Sequence, residues 1–282
     1  MAAEAPQLLG PGEGETIRPG LEIKIGRPEL VMTETVLGAG KVGVDPHVHH
    51  HHADAFYVLE GTLLLTLDGQ ELVLGAGGFA LVPPDVVHSF RIAVSGPARY
   101  LNVHAPGMGF DDYLRSGFRT DFDQHEPPPG DGRPPSEVVV HGPGEGRRLD
   151  LGDSSATIKA GSDDALGSFA LMELDLAPGF PGPILHRHER MTDSFYVLDG
   201  ELGLQLGATR TSASAGSYAL VPPGNAHTFS GAQDERVRAL NLMAPAGLER
   251  YLEEVAALGG AVDPARMAEI ASKYDFRSVQ AR

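Results

Sequence analysis

Three histidines and one aspartate stand at short, regular intervals in the first half of the chain. His47 and His49 are separated by one residue, four residues lie between His49 and Asp54, and His88 lies thirty-nine positions beyond His49. Alternate residues of a strand point to the same side, so the first two imidazoles should share a face, and the next strand can bring the carboxylate beside them. Three imidazoles and a carboxylate suit iron, manganese, nickel, copper or zinc. The spacing therefore predicts a site for a divalent transition metal.

The same four residue types recur 139 positions later with the same spacing. The second set is His186, His188, Asp193 and His227. The strings between the ligands repeat as well, because FYVLEG at 56–61 faces FYVLDG at 195–200, and FALVPP at 79–84 faces YALVPP at 218–223. A supersecondary unit that is used twice leaves such a fixed offset. We therefore predict two similar domains with one divalent transition metal in each.

Short strands are the elements that must position these residues. The segments 55–59, 63–67, 79–82 and 218–221 are apolar, contain β-branched or aromatic residues, and are bounded by Gly, Asp or Pro. The 36 glycines and 22 prolines also favour brief strands joined by tight turns. We predict an all-β fold of two tandem β-barrels, in which the last histidine of each set arrives from a strand across the barrel.

Helices are expected only where each copy ends. A short helical segment is predicted at 110–116, and in the tail two apolar helical faces are formed by Leu248, Tyr251, Leu252 and Val255 and by Met267, Ile270, Ala271 and Tyr274. Asp263 is the expected N-cap of the last helix, with Pro264 in its first turn. We interpret these helices as packing elements rather than binding elements.

A Pro- and Gly-rich stretch, EPPPGDGRPP at 126–135, separates the two copies. Its prolines cannot join a central strand, and its glycines favour flexibility. The predicted parts are an N-terminal barrel, a linker, a C-terminal barrel and a helical extension, at residues 8–118, 119–140, 141–246 and 247–282. The string GPGEG occurs at both 10–14 and 142–146, so the second copy has gained about seven residues before its histidine pair.

The spacing resembles the two short motifs of the cupin superfamily, Gly-X5-His-X-His-X3or4-Glu-X6-Gly and Gly-X5-Pro-X-Gly-X2-His-X3-Asn, each in double copy. The second motif is matched up to its histidine by Gly216, Pro222, Gly224 and His227, and nearly so by Gly77, Pro83, Asp85 and His88. The leading glycines, Gly40 and Gly179, lie one residue early, and Ile92 and Gly231 replace the final Asn. The resemblance implies two jelly-roll domains of the two-domain cupin type.

Asp54 and Asp193 occupy the position where that family usually has Glu. Aspartate is one methylene shorter, so three roles stay open. It can reach the metal, hold it through a water, or act as a catalytic proton acceptor beside a three-histidine site.

Strand alternation also predicts which residues line a substrate pocket. Those that share a side with the candidate ligands, or are polar in apolar strands, are Phe56, Val58, Phe90 and Asn102 in the first copy and Phe195, Val197, Phe229 and Asn241 in the second. Simple core packing is an equal alternative for the apolar members, since small barrels fill their interiors with such side chains. Solvated or supporting roles are expected for the remaining histidines near the motifs, which are His50, His51, His52, His104 and His125.

The composition of the chain limits which metals, ligands and macromolecules it is expected to bind. The chain has no cysteine, so any metal must be held by imidazole and carboxylate. A net charge of -16 makes nucleic acid and anionic membrane surfaces unfavourable partners, which leaves a small molecule as the expected ligand. No apolar run approaches the roughly 18 residues that span a bilayer, and MAAEAPQLLG lacks the features of a secretory signal, so a cytoplasmic location is the default expectation. A homodimer is expected by analogy, since the proteins it resembles often pair through barrel faces.

Among two-domain cupins, the chain most resembles the quercetin 2,3-dioxygenase-like proteins. That resemblance implies that a metal binds the enol or phenol oxygen of a substrate and that dioxygen attacks the activated ring. A metal, a carboxylate and an aromatic-walled pocket suit such chemistry. Two alternatives stay open: a non-redox metal enzyme such as a cyclase, isomerase or decarboxylase, and a metal-containing protein that binds a small molecule without turnover. Oxygen uptake separates the first alternative from a dioxygenase.

Overall fold

The computed structural model describes residues 4–128, 138–164, 166–259 and 263–279. The chain forms two compact units. We call Gly14–Glu145 the N-terminal unit, and Met1–Glu13 together with Gly146–Arg282 the C-terminal unit. Residues 129–137 of the predicted Pro- and Gly-rich linker lie outside the described residues. In the part of the chain that is described, no helix is both long and apolar enough to cross a membrane.

The first strand of the chain, β1 (Gln7–Leu9), belongs to the C-terminal unit. The elements of the N-terminal unit are β2 (Glu15–Arg18), β3 (Leu21–Arg27), β4 (Leu30–Leu37), β5 (Val42–His47), β6 (Ala53–Glu60), β7 (Thr62–Leu67), β8 (Gln70–Gly75), β9 (Phe79–Val82), β10 (His88–Ile92), β11 (Ala98–Ala105), α1 (Phe110–Arg115) and β12 (Val139–His141). They form a seven-stranded sheet in the order β12-β9-β6-β11-β4-β3-β2 and a four-stranded sheet in the order β5-β10-β7-β8.

The elements of the C-terminal unit repeat this plan. They are β13 (Arg147–Leu151), β14 (Ser154–Ala160), β15 (Ala170–Leu176), β16 (His186–Arg187), β17 (Thr192–Asp199), β18 (Glu201–Leu206), β19 (Thr209–Ser214), β20 (Tyr218–Val221), β21 (His227–Ser230), β22 (Val237–Ala244), α2 (Leu248–Ala256), α3 (Pro264–Ser272) and β23 (Arg277–Ser278). One sheet has the order β1-β20-β17-β22-β15-β14-β13, and the other has the order β19-β18-β21-β16-β23. Every strand pairing among the described residues is antiparallel, as expected for jelly rolls.

The predicted all-β fold is confirmed, and the four predicted strand segments lie within β6, β7, β9 and β20. Each unit has its own hydrophobic core, made of residues that alternate along the strands. Phe56, Val58 and Leu65 belong to the core of the N-terminal unit, and Phe195 and Val197 to that of the C-terminal unit. Burial of these apolar side chains is the main force that holds the two sheets of each unit together.

The motif glycine after the carboxylate strand allows a tight turn. Gly61 has a φ of 77° and Gly200 has a φ of 76°, in the left-handed region that costs glycine little. A Cβ atom at Gly61 would lie 2.2 Å from the carbonyl oxygen of Pro97, and one at Gly200 would lie 2.6 Å from that of Arg236. Only glycine fits these turns, which explains the conserved spacing between Asp54 or Asp193 and this position within the two copies.

The units and the predicted domains differ at two short strands. β1 pairs with β20, and β12, at the end of the predicted linker, pairs with β9. Each of these strands covers the edge of a sheet, where unpaired backbone N–H and C=O groups would otherwise be exposed. The reason for the difference is therefore long-range pairing, which the local sequence does not encode.

The repeated string GPGEG follows each of these edge strands and forms the same turn twice. The amide of Gly10 donates to the Glu13 carboxylate over 2.7 Å, and the amide of Gly142 donates to the Glu145 carboxylate over 2.7 Å. The boundary between the two units falls inside both copies of the string. The repeat thus marks the places where the chain passes from one unit to the other.

The predicted helices are present. α1 ends one residue before the predicted limit, and the side chain of Asp263 caps α3 by accepting a hydrogen bond from the amide of Ala265 over 3.2 Å. The apolar faces of α2 and α3 meet in one cluster around buried Tyr251, Ile270 and Phe276. Packing is thus one role of these helices, as predicted.

Candidate metal centres

The first predicted set of ligands comes together in the N-terminal unit. His47 and His88 are direct partners in the β5–β10 pair, and their ring centroids lie 4.2 Å apart. His49 lies just beyond β5, and Asp54 reaches the group from β6, in the other sheet. One ligand atom from each of the four residues lies within 4.8 Å of the others, and all four residues are buried. They form a group that could hold a metal ion.

The C-terminal unit contains the same arrangement. His186 and His227 are partners in the β16–β21 pair, with ring centroids 4.4 Å apart, and Asp193 approaches from β17. Its Oδ2 lies 3.1 Å from Nε2 of His227 and 3.8 Å from Nε2 of His188. The corresponding Asp54 distances are 3.3 Å to His88 and 3.9 Å to His49.

The prediction of which residue crosses between the sheets was wrong. The last histidine of each set was expected from across the barrel, but its strand pairs with the strand of the first histidine, and the aspartate is the residue that comes from the other sheet. The reason is the jelly-roll connection, which makes β5 and β10, and likewise β16 and β21, neighbours in space although they are distant in sequence.

All six histidines use Nδ1 in the same way. Each Nδ1–H donates to a backbone carbonyl, those of Asp45, Asp123 and Val86 for His47, His49 and His88, and those of Ile184, Asp275 and Asn225 for His186, His188 and His227. These bonds select the tautomer whose lone pair is on Nε2 and hold each ring in place. All six Nε2 atoms are therefore left available as metal ligands, and those of His88 and His227 also lie within hydrogen-bond distance of the aspartate Oδ2.

Two of these nitrogens are buried polar atoms whose hydrogen-bonding capacity is unsatisfied. Nε2 of His49 and Nε2 of His188 are buried and have no hydrogen-bond partner within the described residues. An unsatisfied buried polar atom costs about 1–3 kcal/mol. A metal ion at the centre of each group would satisfy these atoms, so the residues present fit a divalent metal of the imidazole-binding type.

The carboxylates are oriented by two asparagines that were predicted only as pocket residues. Nδ2 of Asn102 donates to Oδ1 of Asp54 over 2.5 Å and to the carbonyl of Ala55 over 3.2 Å. Nδ2 of Asn241 makes the equivalent bonds, over 2.5 Å to Asp193 and 3.1 Å to the carbonyl of Ser194. Oδ1 is thus engaged in each unit, and Oδ2 faces the histidines.

Burial sets the charge of both groups. It lowers the pKa of His47 to about 4 and the pKa of His186 to about 3, so both rings are neutral near pH 7, as metal binding requires. Burial alone would raise the pKa of Asp54 and of Asp193, but the neighbouring imidazoles outweigh it, and both pKa values lie below the usual range. Each group therefore contains an ionised carboxylate, and the ring of His47 in one group and of His186 in the other is neutral.

Asp123 and Asp275 are functional neighbours that the sequence interpretation missed. The carbonyl of each accepts the Nδ1–H of the middle histidine of its unit. The carboxylate of Asp123 accepts the amides of His50 and His51, the latter over 2.7 Å, and that of Asp275 accepts three successive amides starting at Glu189. The loop after each His-X-His pair is therefore held by a distant acidic residue.

A weak signal for these residues was present. Phe122-Asp123 and Tyr274-Asp275 are separated by 152 positions rather than 139, because the tail of the second copy is thirteen residues longer. A comparison at the single offset does not align them.

The N-terminal unit has an additional chain of buried polar groups. Nδ1 of His52 lies 2.9 Å from Oδ2 of Asp123, Nε2 of His52 lies 2.9 Å from Nδ1 of His104, and Nε2 of His104 lies 3.0 Å from Oδ1 of Asn102. On the protein surface, His125 lies 3.0 Å from the other carboxylate oxygen of Asp123. The chain supports the Asp54 carboxylate through Asn102.

The C-terminal unit lacks the two histidines of this series of hydrogen-bonded groups. Met191 and Met243 occupy the positions that match His52 and His104 at the offset of 139. His49, His52 and His104 could also be grouped around a metal, but both ring nitrogens of His52 and of His104 already have hydrogen-bond partners. His50 and His51 are exposed, and His50 pairs with Asp85 over 2.6 Å.

The predicted pocket residues separate into two groups. Phe56, Val58, Phe195 and Val197 are fully buried in the cores of their units. Phe90 is half-buried and packs on Phe56 and Tyr100, with ring centroids 5.2 and 5.6 Å away. Phe229 and Asn241, by contrast, line a cavity.

That cavity lies in the C-terminal unit and has a volume of about 800 Å³. His186, Asp193 and Asn241 are at one part of its wall, so the candidate metal centre faces it directly. Apolar side chains dominate the rest, and many of them come from α2 and α3. The two helices thus line a cavity in addition to packing against each other. The sequence analysis had interpreted them as packing elements rather than binding elements.

Two antiparallel jelly rolls with a buried three-histidine, one-aspartate group in each define a two-domain cupin. The model of the family described as "Cupin domain" matches residues 33–104 and 172–243, and the chain belongs to this family. The chain is 27% identical to the quercetin 2,3-dioxygenase of Bacillus subtilis (strain 168) over 267 residues, covering 79% of this chain and 78% of that protein.

Solved structures show the same fold at lower identity. A putative glyoxylate-induced protein from Pseudomonas aeruginosa has a TM-score of 0.63 and 19% identity, over 86% of this chain and 90% of that chain. The oxalate decarboxylase of Bacillus subtilis has a TM-score of 0.52 and 18% identity, over 87% of this chain and 78% of that chain. At these identities the likeness concerns the fold and not the reaction.

Proposed function

We propose that this chain is a metal-dependent dioxygenase that acts on a small enolic or phenolic compound. The observation that carries the proposal is the apolar cavity of about 800 Å³ in the C-terminal unit, which has His186 and Asp193 in its wall. A mostly apolar cavity with a few convergent polar groups is typical of a small-molecule site. The similarity to a quercetin 2,3-dioxygenase supports the reaction class.

In this proposal the metal of the C-terminal unit is held by His186, His188 and His227, and that of the N-terminal unit by His47, His49 and His88. A bound divalent metal would supply Lewis-acid polarisation of a substrate oxygen and, if it is redox-active, electron transfer with dioxygen. The backbone bonds to Nδ1 hold the imidazoles in their binding orientation, so little reorganisation is needed on loading.

In this proposal Asp193 handles the substrate proton. Its Oδ1 is held by Asn241, and its Oδ2 faces the histidines, so Oδ2 is the atom that can bind metal or accept the hydroxyl proton. Asp54 has the same geometry in the N-terminal unit. In both units the carboxylate is ionised before substrate arrives, which suits either role.

The apolar walls would bind the rings of the substrate and keep bulk water away from the reacting carbon atoms. Removal of apolar surface from water stabilises a complex by roughly 25 cal/mol per Å², so most of the affinity would come from ring burial. The metal end would supply orientation rather than affinity.

The test is oxygen uptake by protein loaded separately with iron, manganese, nickel, copper and zinc, with flavonols as probe substrates. We expect uptake equimolar with flavonol consumed for at least one redox metal, and incorporation of labelled oxygen into the product. Turnover without oxygen uptake, with zinc as effective as the redox metals, would instead show a non-redox metal enzyme. Tight flavonol binding without turnover for any metal would show a binding protein.

A further inference from the structure

We propose that substrate binds in the C-terminal unit and that residues 248–259 and 263–278, which we call the C-terminal segment, select it by forming one wall of the cavity. This inference rests on the proposed function and deepens it, since it names the site, the class of ligand and the residues that discriminate among ligands. The ligand class is a planar, apolar molecule of several rings that carries an enol or phenol oxygen.

The dimensions of the cavity agree with such a ligand. Its volume of about 800 Å³ lies within the range of roughly 300–1,000 Å³ that is common for sites of drug-sized molecules. On the side of the sheets it is lined by Leu174, Leu176, Phe180 and Phe229, all of them apolar. A small, highly charged substrate would leave this surface without a partner and would gain little from it.

The opposite wall comes from the C-terminal segment. Leu248, Leu252 and Val255 of α2 and Met267 and Ala271 of α3 line the cavity. The same helices bury Tyr251 and Ile270 against each other, so their position does not depend on a ligand. The wall is a packed structure, and its side chains define the shape that a ligand must fit.

This wall has no counterpart of equal length in the N-terminal unit. Asp123 follows His104 by nineteen positions, whereas Asp275 follows Met243 by thirty-two, although the two aspartates play the same part in their units. The thirteen additional residues lie in the stretch that contains α2 and α3. The wall is therefore an addition to the repeated unit, and it does not arise from the jelly roll itself.

The C-terminal segment also contacts the candidate ligands. The ring of Phe276 stacks on His186, with centroids 4.2 Å apart and planes 12° apart, and on Tyr251, with centroids 5.0 Å apart and planes 22° apart. The carbonyl of the preceding residue, Asp275, accepts the Nδ1–H of His188. The wall of the cavity and the metal centre are thus parts of one packed assembly, which places bound ligand next to the metal.

The N-terminal centre has different neighbours. The ring of Phe122 lies 5.7 Å from His49 and 5.2 Å from His52, and the ring of Phe110 lies 3.8 Å from His104. Together with the polar chain from Asp123 to Asn102, these rings give that centre a surrounding of aromatic and hydrogen-bonding groups. The C-terminal centre, by contrast, opens on a cavity whose walls are mostly apolar.

The experiment uses two substitutions on the same helix of the full chain. Ala268 is exposed and lines the cavity, so Ala268→Trp places an indole ring in it without disturbing the buried core. Ala265 is also exposed but is not a lining residue, so Ala265→Trp is the matched control. Unchanged melting temperatures for both variants would show that each one folds.

Binding is measured without oxygen, by titration of zinc-loaded protein followed through flavonol absorbance, so the readout does not depend on turnover. We expect Ala268→Trp to raise the Kd of flavonols at least tenfold and Ala265→Trp to leave it unchanged. Equal Kd values for the two variants and the unsubstituted protein would overturn the assignment of the cavity, and so would the absence of flavonol binding by the unsubstituted protein.

The oxygen-uptake assay distinguishes this inference from the proposed function. The expected difference in Kd without oxygen uptake for any metal would retain the ligand site and reject the dioxygenase. Oxygen uptake that is equal in the two variants would retain the dioxygenase and reject the cavity as its substrate site.

Discussion

At the scale of single residues, each candidate metal centre is prepared by hydrogen bonds to atoms that would not bind the metal. A backbone carbonyl accepts a hydrogen bond from Nδ1–H of each histidine, and an asparagine amide donates one to Oδ1 of each aspartate. The atoms left over, three Nε2 and one Oδ2, converge on one point. Each asparagine orients an aspartate without being a candidate ligand itself, which explains why Asn102 and Asn241 recur at the offset of 139 outside the set of four ligands.

Removal of one asparagine should weaken only the centre that it supports. We expect Asn241→Ala to lower the metal affinity of the C-terminal unit by roughly 10–100-fold, because the Asp193 carboxylate loses the bond that orients it. Asn102→Ala should do the same to the N-terminal unit. Calorimetric titration of metal-free protein should then resolve one weakened and one unchanged site in each variant. Two sites weakened together would contradict the separate roles.

The buried His52–His104 pair allows a test with the residues of the other unit. His52→Met leaves Nδ1 of His104 buried without its partner, so we expect it to lower the free energy of unfolding by about 1–3 kcal/mol. The double variant His52→Met with His104→Met copies Met191 and Met243, and it should cost less than the sum of the single substitutions. Urea unfolding of the original protein, the two single variants and the double variant measures the four free energies of this double-mutant cycle. Exposed His51→Met is the control and should change stability by less than about 0.5 kcal/mol. A strictly additive cycle would show that the pair is not coupled.

At the scale of elements, the edge strands determine which part of the chain completes each sheet. β1 covers β20, and β12 covers β9. Both are short and largely exposed or half-buried, so their contribution comes from backbone pairing rather than from a large apolar surface.

Deletion of residues 1–9 should therefore affect one unit selectively. We expect amide hydrogen exchange to become faster at 218–221, because β20 loses its pairing with β1, while exchange at 79–82 stays unchanged beneath β12. Mass spectrometry of peptides from the two regions measures the difference, and β9 is the internal control. Faster exchange in both regions would mean that the deletion destabilises the whole chain.

At the scale of the whole molecule, the buried histidines couple stability to pH. Their pKa values in the folded state are lowered, to about 4 for His47 and about 3 for His186, whereas the unfolded chain has the usual value near 6.5. The unfolded state therefore binds more protons between these limits, and stability falls as the pH falls below about 6.5. The lowered pKa of Asp54 contributes stability that is present above the unfolded value and is lost only below about pH 4.

Metal-free protein should accordingly be less stable at pH 5 than at pH 7. Each of His47 and His186 should contribute a loss of about 2 kcal/mol over that interval, since one pKa unit corresponds to about 1.4 kcal/mol. Urea midpoints at the two pH values measure the sum. Metal-loaded protein should show at least as large a change, because bound metal keeps the folded-state imidazoles free of protons while the unfolded chain still takes them up. Equal midpoints at pH 5 and pH 7 in metal-free protein would contradict the burial of neutral imidazoles.

The repeat, the abundance of strands and the eight candidate ligands were all predicted from the linear sequence, because periodicity, turn residues and His-X-His spacing are properties of neighbouring residues. The sequence also located the helices of the tail from the spacing of their apolar residues and the N-cap at Asp263.

Features that depend on contacts between distant residues became visible only in the folded chain. The tertiary structure placed Asp54 and Asp193, rather than the last histidines, on the other sheet, and it brought Asp123 and Asp275 behind the middle histidines. The folded structure also shows that Phe195 is a core residue and that Phe229 lines the cavity, although strand alternation predicted that both side chains point inward. The physical reason is that strand order, edge pairing and helix docking minimise exposed apolar surface and unpaired backbone over the whole fold, and no short window of sequence contains that information.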